Sequence, residues 1–500
     1  MRVVQNTQMH IGEVDVSRIV IDPKSRDDIP QILRGLQHLY QDPVLRAKLF
    51  ALLESGIAPK INKDTGRPGM TYWSIFVCGV IRLDLNIDYD RLHELVNQHI
   101  TLRQMLGHGL FDPTTYHYQT LKDNVSLFTP ELLDKINQWV VDSGHGVVKK
   151  KVGDILRGRC DSFVVETDVH YPTDISLLFD AMRKVIELTA RLSAEQGLSD
   201  WRQHAYNVRH LKRQLRAAQN AKRGKARNEA QQEKNDARVI DAHAAYLEVA
   251  RQYLDKAQAT LAALAAAGMT GELGVAAKIE IQGFMQHARR QIDQTRRRVI
   301  QGEPIPHAEK VFSVFETHTE WISKGKAGVP VELGLRVCVL EDQYQFILHH
   351  QVMEKQTDDQ VTVAMVKEAK QRFADLEACS FDKGFHSPAN QQELLAHLKL
   401  VALPRKGKLS QQAYAIEHAE DFVKARHKHS AVESAINALG VHGLDRCPDH
   451  GLHGFKRYVA MAVVARNIHR IGALLREQEN QRVVRNVRYA DRDPRHQRAA

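Results

Sequence analysis

The residues from about Ile175 to about Gln301 have helical character throughout, whereas strand-like segments lie only on either side of them. This stretch is rich in alanine, lysine, arginine and glutamine, which favour helices. Leu211, Leu215 and Ala218 form a short apolar stripe at helical spacing. The pattern predicts long helices packed as a hairpin or coiled coil and inserted into a domain whose strands come from both flanks.

The flanking segments alternate between strand and helix. Residues 161–168 have strand character, and "VPVELGLRVCVLEDQYQFILHHQVM" predicts a hairpin around "EDQ". An amphipathic helix, a short strand in "LEACSFDKGF", a helix capped by Ser387 and another short strand in "KLVALPRKGK" follow. Strands that alternate with helices predict an α/β fold with a mixed sheet, in which ligands gather at the carboxyl ends of strands.

The chain therefore divides into four predicted parts. Residues 1–150 form a helical N-terminal domain that docks on DNA, with helix-turn-helix geometry as the model, or that only packs against the rest. Residues 155–175 and 305–475 form the α/β core, and 176–304 form the helical insertion. Residues 480–500 are polar, arginine-rich and predicted to be a disordered basic tail.

The composition is that of a basic globular protein. The 500 residues carry a net charge of +10, which favours polyanionic partners because lysine and arginine displace counterions from phosphates. The five cysteines form no CxxC pair, and no apolar run approaches the roughly 20 residues that span a bilayer. We expect a cytoplasmic protein that is nucleoid-associated when bound to DNA and has no membrane partner.

Three acidic residues are candidates for a metal site. Asp168 ends the run "FVVETD", Asp382 ends "ACSFD", and Glu433 lies in the helix-like "HKHSAVESAINAL". Two magnesium ions held by a few carboxylates can activate an attacking oxygen and stabilise a leaving oxygen in phosphoryl transfer. Spacing alone does not define this triad. Asp161, Glu166 and Asp174 compete with Asp168, and turn capping or simple exposure explains such residues equally well.

Four segments in this order resemble a known family. They are "TDVHYPTD", "FSVFETHTEWISKGKAGVPVELGLRV", "SFDKGFHSPAN" and "KHSAVESAINALGVHGLDRC". Together they resemble bacterial insertion-sequence transposases of the DDE type, close to the ISNCY-like group. A weaker similarity links "GRPGMTYWSIFVCGVIRLDLNIDYDRLHELVNQHITLRQMLG" to the helical N-terminal domain of such enzymes.

The resemblance implies an RNase H-like catalytic core with two Mg²⁺ or Mn²⁺ ions. It implies double-stranded DNA partners, namely terminal inverted repeats and target DNA, and a homodimeric synapse. By position, Asp168, Asp382 and Glu433 are the catalytic and metal-binding residues. Arg426, Lys428 and His429 are then candidates for contact with the transposon end, although many relatives carry a tyrosine and an arginine where Arg426 and His429 stand.

Other signals are less specific. Lys406, Lys408, Lys456 and Arg457 either touch phosphates or solubilise the surface. The basic run from Lys212 to Arg227 is a solvated helix face or a phosphate-tracking arm. Cys447, His450 and His453 have half-site zinc spacing, but structural histidines in a loop are favoured.

Three functions remain open on the sequence. The leading hypothesis is a transposase that cleaves DNA at terminal inverted repeats and joins the freed end to target DNA. The alternatives are a domesticated, catalytically inactive DNA-binding protein and an RNase H-like nuclease without strand transfer.

Overall fold

Strand β1 (Leu156–Thr167) organises the sheet. The computed structural model describes residues 3–6, 8–57, 69–221, 226–267, 272–323 and 330–490. The other strands are β2 (Glu320–Ser323), β3 (Val331–Glu341), β4 (Ile347–Met353), β5 (Leu376–Phe381), β6 (Leu400–Ala402) and β7 (Arg446–Cys447). Strand β1 pairs antiparallel with β3, which pairs antiparallel with β4. On its other side β1 runs parallel to β5, which runs parallel to β6.

The helices of the first part of the chain are α1 (Ile29–Gln41), α2 (Pro43–Gly56), α3 (Tyr72–Asp84), α4 (Tyr89–Gln98), α5 (Ile100–Met105), α6 (Tyr118–Val125) and α7 (Pro130–Val147). The inserted helices are α8 (Asp174–Glu195), α9 (His204–Ala221), α10 (Glu229–Ala266) and α11 (Glu272–Thr295). The later helices are α12 (Asp358–Arg372), α13 (Pro388–His397), α14 (Gln411–Glu417), α15 (Glu420–His429), α16 (Ala431–Leu439) and α17 (Gly451–Ala490). Short 3-10 or π turns cover Val16–Arg18, Arg296–Ile300, His307–Glu309, Lys383–Phe385 and Gly440–Leu444.

The mixed α/β prediction is confirmed, and local chemistry explains its elements. Ser387 accepts a hydrogen bond from the backbone N–H of Asn390, and Pro388 is the first residue of α13, as predicted. Thr357 and Gln360 form a capping box that starts α12. The hairpin of β3 and β4 surrounds the predicted turn, while β1 begins five residues before the predicted strand at 161.

The chain divides into two units, 1–168 with 322–500, and 169–321. The first unit contains both the N-terminal helices and most of the sheet. The prediction of a separate N-terminal domain is therefore wrong, because these helices belong to the same unit as the core. The reason is α17, whose residues from Val459 to Ala465 are all buried. Helices α1, α3 and α7 pack around it, and the side chain of Asn467 joins Asn137 on α7 to the backbone of Ile347 on β4.

Helix α3 bears on the predicted mode of DNA docking. Every one of its residues from Tyr72 to Asp84 is buried. A recognition helix must present side chains to a DNA groove, so α3 does not serve as one. The loop residues Gly66 and Pro68 lie outside the described residues.

The second unit is built from the inserted helices. Helix α8 packs against α9, α10 and α11, with Trp201 donating a hydrogen bond to Thr260 at 3.0 Å and Tyr246 donating one to the backbone of Ile175 at 3.0 Å. The predicted helical character is confirmed, and the unit is wider than the predicted 176–304. Residues 222–225 of the basic run lie outside the described residues.

The C-terminal segment differs from its prediction. Helix α17 continues to Ala490, so the first half of the predicted disordered tail is helical. Residues 491–500 lie outside the described part of the chain.

A glycine contact between α1 and α17 gives a test of this packing. A Cβ added at Gly472 would lie 2.0 Å from the backbone oxygen of Gln31, so the helices must move apart in Gly472→Ala. We expect a loss of about 1–3 kcal/mol in unfolding free energy, measured by urea denaturation. Gly454→Ala on the same helix is the control, because its nearest contact would be an ordinary 3.6 Å. Equal stability of the two variants would contradict the close crossing.

Candidate carboxylate site

Asp161 lies in the middle of β1, beside the carboxyl end of β5. The two strands are parallel, and Cys160 is paired with Phe381, the last residue of β5. The next residues along each strand are Asp161 and Asp382. The register therefore places these two carboxyl groups side by side at the carboxyl edge of β5.

Two more carboxylates reach the same place from helices. Helix α16 packs against β1 and carries Glu433 in its first turn. Asp358 is the first residue of α12, and Ser162 donates a hydrogen bond to its Oδ1 at 2.6 Å. The acidic cluster, as we call Asp161, Asp358, Asp382 and Glu433, thus draws on two strands and two helices.

Electrostatics show that these groups act on one another. The pKa of Asp161 is raised to about 6, against an ordinary value of 3.8, and burial is the largest cause. The negative charges of Asp382, Asp358 and Glu433 contribute to this raised pKa, while the backbone N–H of Ser162, 2.8 Å from Oδ1, opposes it. A carboxyl group with three acidic neighbours is costly to ionise without a cation.

Hydrogen bonds fix the loop that carries Asp382 against the start of α12. Thr362 and Asn390 both donate to the backbone oxygen of Phe385, and they also donate to the backbone oxygens of Asp358 and Asp359, respectively. Gly384 lies so close that an added Cβ would be 2.9 Å from Oδ2 of Asp358. The same hydrogen bonds therefore position the backbone near both Asp358 and Asp382.

Asp168 does not join the cluster, and the prediction that it lies beside Asp382 is wrong. It follows the end of β1, is exposed, and lies 3.6 Å from Arg446. Seven residues separate it from Asp161, which is roughly 23 Å along an extended strand. The cause is unequal strand length, because β1 has 12 residues and its parallel neighbour β5 has 6. Asp174, another rival, begins α8 and pairs with Arg298.

The predicted DNA-contacting residues near Glu433 lie on α15, which packs against β5 and β6. Arg426 and Lys428 are exposed in its last turn. His429 is partly buried, 3.1 Å from the hydroxyl of Ser380, and burial lowers its pKa although Asp382 and Glu433 raise it. A neutral His429 therefore lies beside the acidic cluster, whereas the two cations face solvent.

The other predicted cations are in different settings. Lys406 is exposed and donates to the backbone of Gly384 in the Asp382 loop at 3.0 Å, and Lys408 is exposed nearby. Lys456 pairs with Glu354 at 2.6 Å. Arg457 is mostly buried, donating to Asp449 at 2.9 Å and to the backbone of Ser126 at 3.1 Å. Arg457 therefore does not lie on the exposed basic surface that its predicted role requires.

The cysteine and histidine segment provides no close metal site. Cys447 is buried in β7 and its thiol faces the backbone oxygen of Asp449 at 3.7 Å. Within the described residues, Cys447, His450 and His453 do not form a compact group of metal-ligating atoms.

Comparison with protein-family models, with curated proteins and with solved structures finds no match to this chain. Within the described residues, no helix is long and apolar enough to cross a membrane.

The acidic cluster fits hard divalent cations. Its donors are all carboxylate oxygens, which magnesium and manganese prefer. Within the described residues, no three of these carboxylates bring ligand atoms within 4.8 Å of one another. Sequence reasoning missed Asp358, since "TDDQ" indicates only a helix start, and it ranked Asp161 below Asp168.

Proposed function

We propose that this protein is a DDE-type transposase whose catalytic carboxylates are Asp161, Asp382 and Glu433, with Asp358 as a fourth acidic group. The observation that carries the proposal is the electrostatic coupling of Asp161 to the other three, at the point where β1 meets the end of β5. The four segments that resemble insertion-sequence transposases include Asp382 and Glu433. The substrate is then double-stranded DNA at terminal inverted repeats, and the second substrate is target DNA.

The sheet supports an RNase H-like core within this proposal. Five of its seven strands pair in the sequence β4, β3, β1, β5 and β6, with β1, β5 and β6 parallel and β3 antiparallel to them. Helix α12 connects β4 to β5, and α13 connects β5 to β6. In an α/β sheet of this kind the carboxyl ends of parallel strands position reactive groups, and here they position Asp382 beside Asp161.

The residues of the chain have separable tasks in this proposal. Divalent cations, when bound, would neutralise charge on the scissile phosphate and favour ionisation of the attacking water or 3′-hydroxyl. Asp161, Asp382 and Glu433 would hold those cations, and Ser162 fixes the orientation of Asp358 through its hydroxyl. Burial and the three acidic neighbours raise the pKa of Asp161, so a bound cation would favour its ionised form.

The test is DNA cleavage and joining by the purified full chain. The substrate is labelled DNA taken from the sequences that flank the gene, incubated with Mg²⁺ or Mn²⁺ and a supercoiled target plasmid. Cleavage at one position near each end, followed by joined product, supports the transposase. Cleavage without joining would favour the nuclease, and binding without cleavage in either metal would favour the inactive DNA-binding protein.

The exposed cations of α15 give a second prediction. In the double variant Arg426→Gln with Lys428→Gln, we expect weaker DNA binding and a salt dependence whose log–log slope is smaller by about 2, because two phosphate contacts are lost. Fluorescence anisotropy from about 50 to 200 mM salt measures this slope. Lys367→Gln is the control, since Lys367 is half-exposed on α12 and pairs with Glu393. An unchanged slope in the double variant would remove α15 from the DNA interface.

A further inference from the structure

A second group of ligating residues lies away from the acidic cluster. Asp84 ends α3, His469 lies on α17, and His442 lies in the π turn Gly440–Leu444 that follows α16. One ligand atom from each lies within 4.8 Å of the others. We call these residues the Asp84–His442–His469 cluster.

Two of the distances within this cluster are close to those of a tetrahedral metal site. Oδ1 of Asp84 is 3.0 Å from Nδ1 of His469 and 3.4 Å from Nδ1 of His442. Two ligands bound to zinc at about 2.0–2.1 Å in tetrahedral geometry are separated by roughly 3.3 Å. The Asp84 side chain is 0% exposed, and those of His442 and His469 are 7% and 17% exposed. A carboxylate that is buried this completely is costly to keep ionised unless a positive charge lies beside it.

The surroundings of the two imidazoles fit coordination. The side-chain amide nitrogen of Gln31 contacts Nε2 of His469 at 2.5 Å, and Nδ1 of His469 hydrogen-bonds to Asp84 in the metal-free state. Rotation of the Gln31 amide by 180° would let its oxygen accept a proton on Nε2 and leave Nδ1 free to bind a cation beside Asp84. Nδ1 of His442 also lies 2.7 Å from the backbone oxygen of Asp84, to which it donates in the metal-free state. Coordination through that nitrogen would replace this hydrogen bond, and the imidazole would bind as the tautomer that carries its proton on Nε2.

The buried cation Arg466 balances the charge of Asp84 only in part. Arg466 interacts electrostatically with Asp84, but its interaction with Glu341 is stronger. Arg82, also on α3, donates instead to Asp449 at 2.8 Å. The histidines or a bound ion would supply the further positive charge that balances Asp84.

We propose that the Asp84–His442–His469 cluster binds one transition-metal cation, with zinc as the best fit, in a structural role. Two imidazoles and one carboxylate favour zinc over magnesium, which prefers oxygen ligands alone. The ion would tie α3 and α17 to the turn directly after the helix that carries Glu433. The site is independent of the proposed function and of the metals of the acidic cluster.

The experiment uses the full chain without a polyhistidine tag, produced in zinc-supplemented medium and dialysed. We expect elemental analysis to find about one zinc per chain, as in closed structural sites. His442→Ala, His469→Ala and Asp84→Asn should each lose most of it. His108→Ala is the matched control, because His108 is also a buried histidine paired with an aspartate, Asp112 at 2.7 Å, and it should keep the metal.

A second measurement covers the case in which the variants fold poorly. Chelation of the wild-type protein should lower its Tm by several degrees, and ZnCl₂ but not MgCl₂ should restore it. The double variant Asp161→Asn with Asp382→Asn should retain both the zinc content and this response. A wild-type protein that carries no zinc and whose Tm does not respond to ZnCl₂ would overturn the proposal. An equal loss of zinc in His108→Ala, or its loss in the double aspartate variant, would also overturn it.

Discussion

Replacing Asp161 with asparagine is expected to abolish metal-dependent DNA cleavage, whereas Asp168→Asn is expected to leave it nearly unchanged. Asp161 has three acidic neighbours and lies beside the end of β5. Asp168 is exposed beyond the strand and lies near Arg446. Loss of one preorganised charged group from a catalytic site lowers rates by about 10²–10³-fold or more.

The comparison is read as initial cleavage rate in Mg²⁺, with binding of the same DNA as the check on folding. Both variants remove one negative charge from the same strand region, so a general electrostatic effect would change them equally. Asp382→Asn and Glu433→Gln should lose activity as Asp161→Asn does. A large loss of cleavage rate in Asp168→Asn, together with a normal rate in Asp161→Asn, would contradict this assignment. It would support Asp168, at the end of the strand, as the first catalytic aspartate.

The second large effect is on stability and its pH dependence in the metal-free protein. The folded pKa of Asp161 is about 6 and its ordinary value is 3.8, so the folded state binds the proton more tightly than the unfolded state. Its contribution to the unfolding free energy is therefore full below about pH 4 and is lost as pH rises through 6. A shift of about two pKa units corresponds to on the order of 2–3 kcal/mol.

Asp161→Asn should accordingly be more stable than the wild type at pH 8 by on the order of 2–3 kcal/mol, and nearly equal to it below about pH 4. Urea unfolding of both proteins at a series of pH values, with a chelator present, measures this difference in unfolding free energy. Titratable groups that both proteins share contribute equally and cancel. Glu341, whose pKa burial raises to about 7, is one such group. Adding Mg²⁺ at pH 8 should stabilise the wild type and not the variant. A difference that does not change with pH would contradict the coupling.

Local patterns were enough to predict much of the fold. Periodicity located the inserted helices, and the Ser387 cap and the turn before β4 were marked by short-range chemistry. Such signals depend on residues a few positions apart, so a sequence reveals them directly. The role of α17 was not visible this way, because its burial on all sides comes from α1, α3 and α7, which are distant in the chain.

The candidate site was predicted in part for the same reason. Asp382 lies at a strand end and Glu433 on a helix, as expected. Strand β1 was harder to place, because Arg157, Gly158 and Arg159 give its first residues the composition of a loop. Their pairing with β5 stabilises them as strand, and this shifts the functional position from the end of β1 to its middle. Asp358 can be recognised as part of the site only from its contact with Ser162, which lies 196 positions earlier in the chain.

The most direct test of the central claim is iron-mediated cleavage mapping of the protein itself. Fe²⁺ replaces Mg²⁺ in the acidic cluster, ascorbate and peroxide generate hydroxyl radicals at the bound ion, and the cut sites are read by mass spectrometry. The proposed site predicts cuts near residues 161, 358, 382 and 433 that excess Mg²⁺ suppresses and that Asp161→Asn abolishes. Mg²⁺-sensitive cuts around residue 168, with none near 161 and 382, would contradict it.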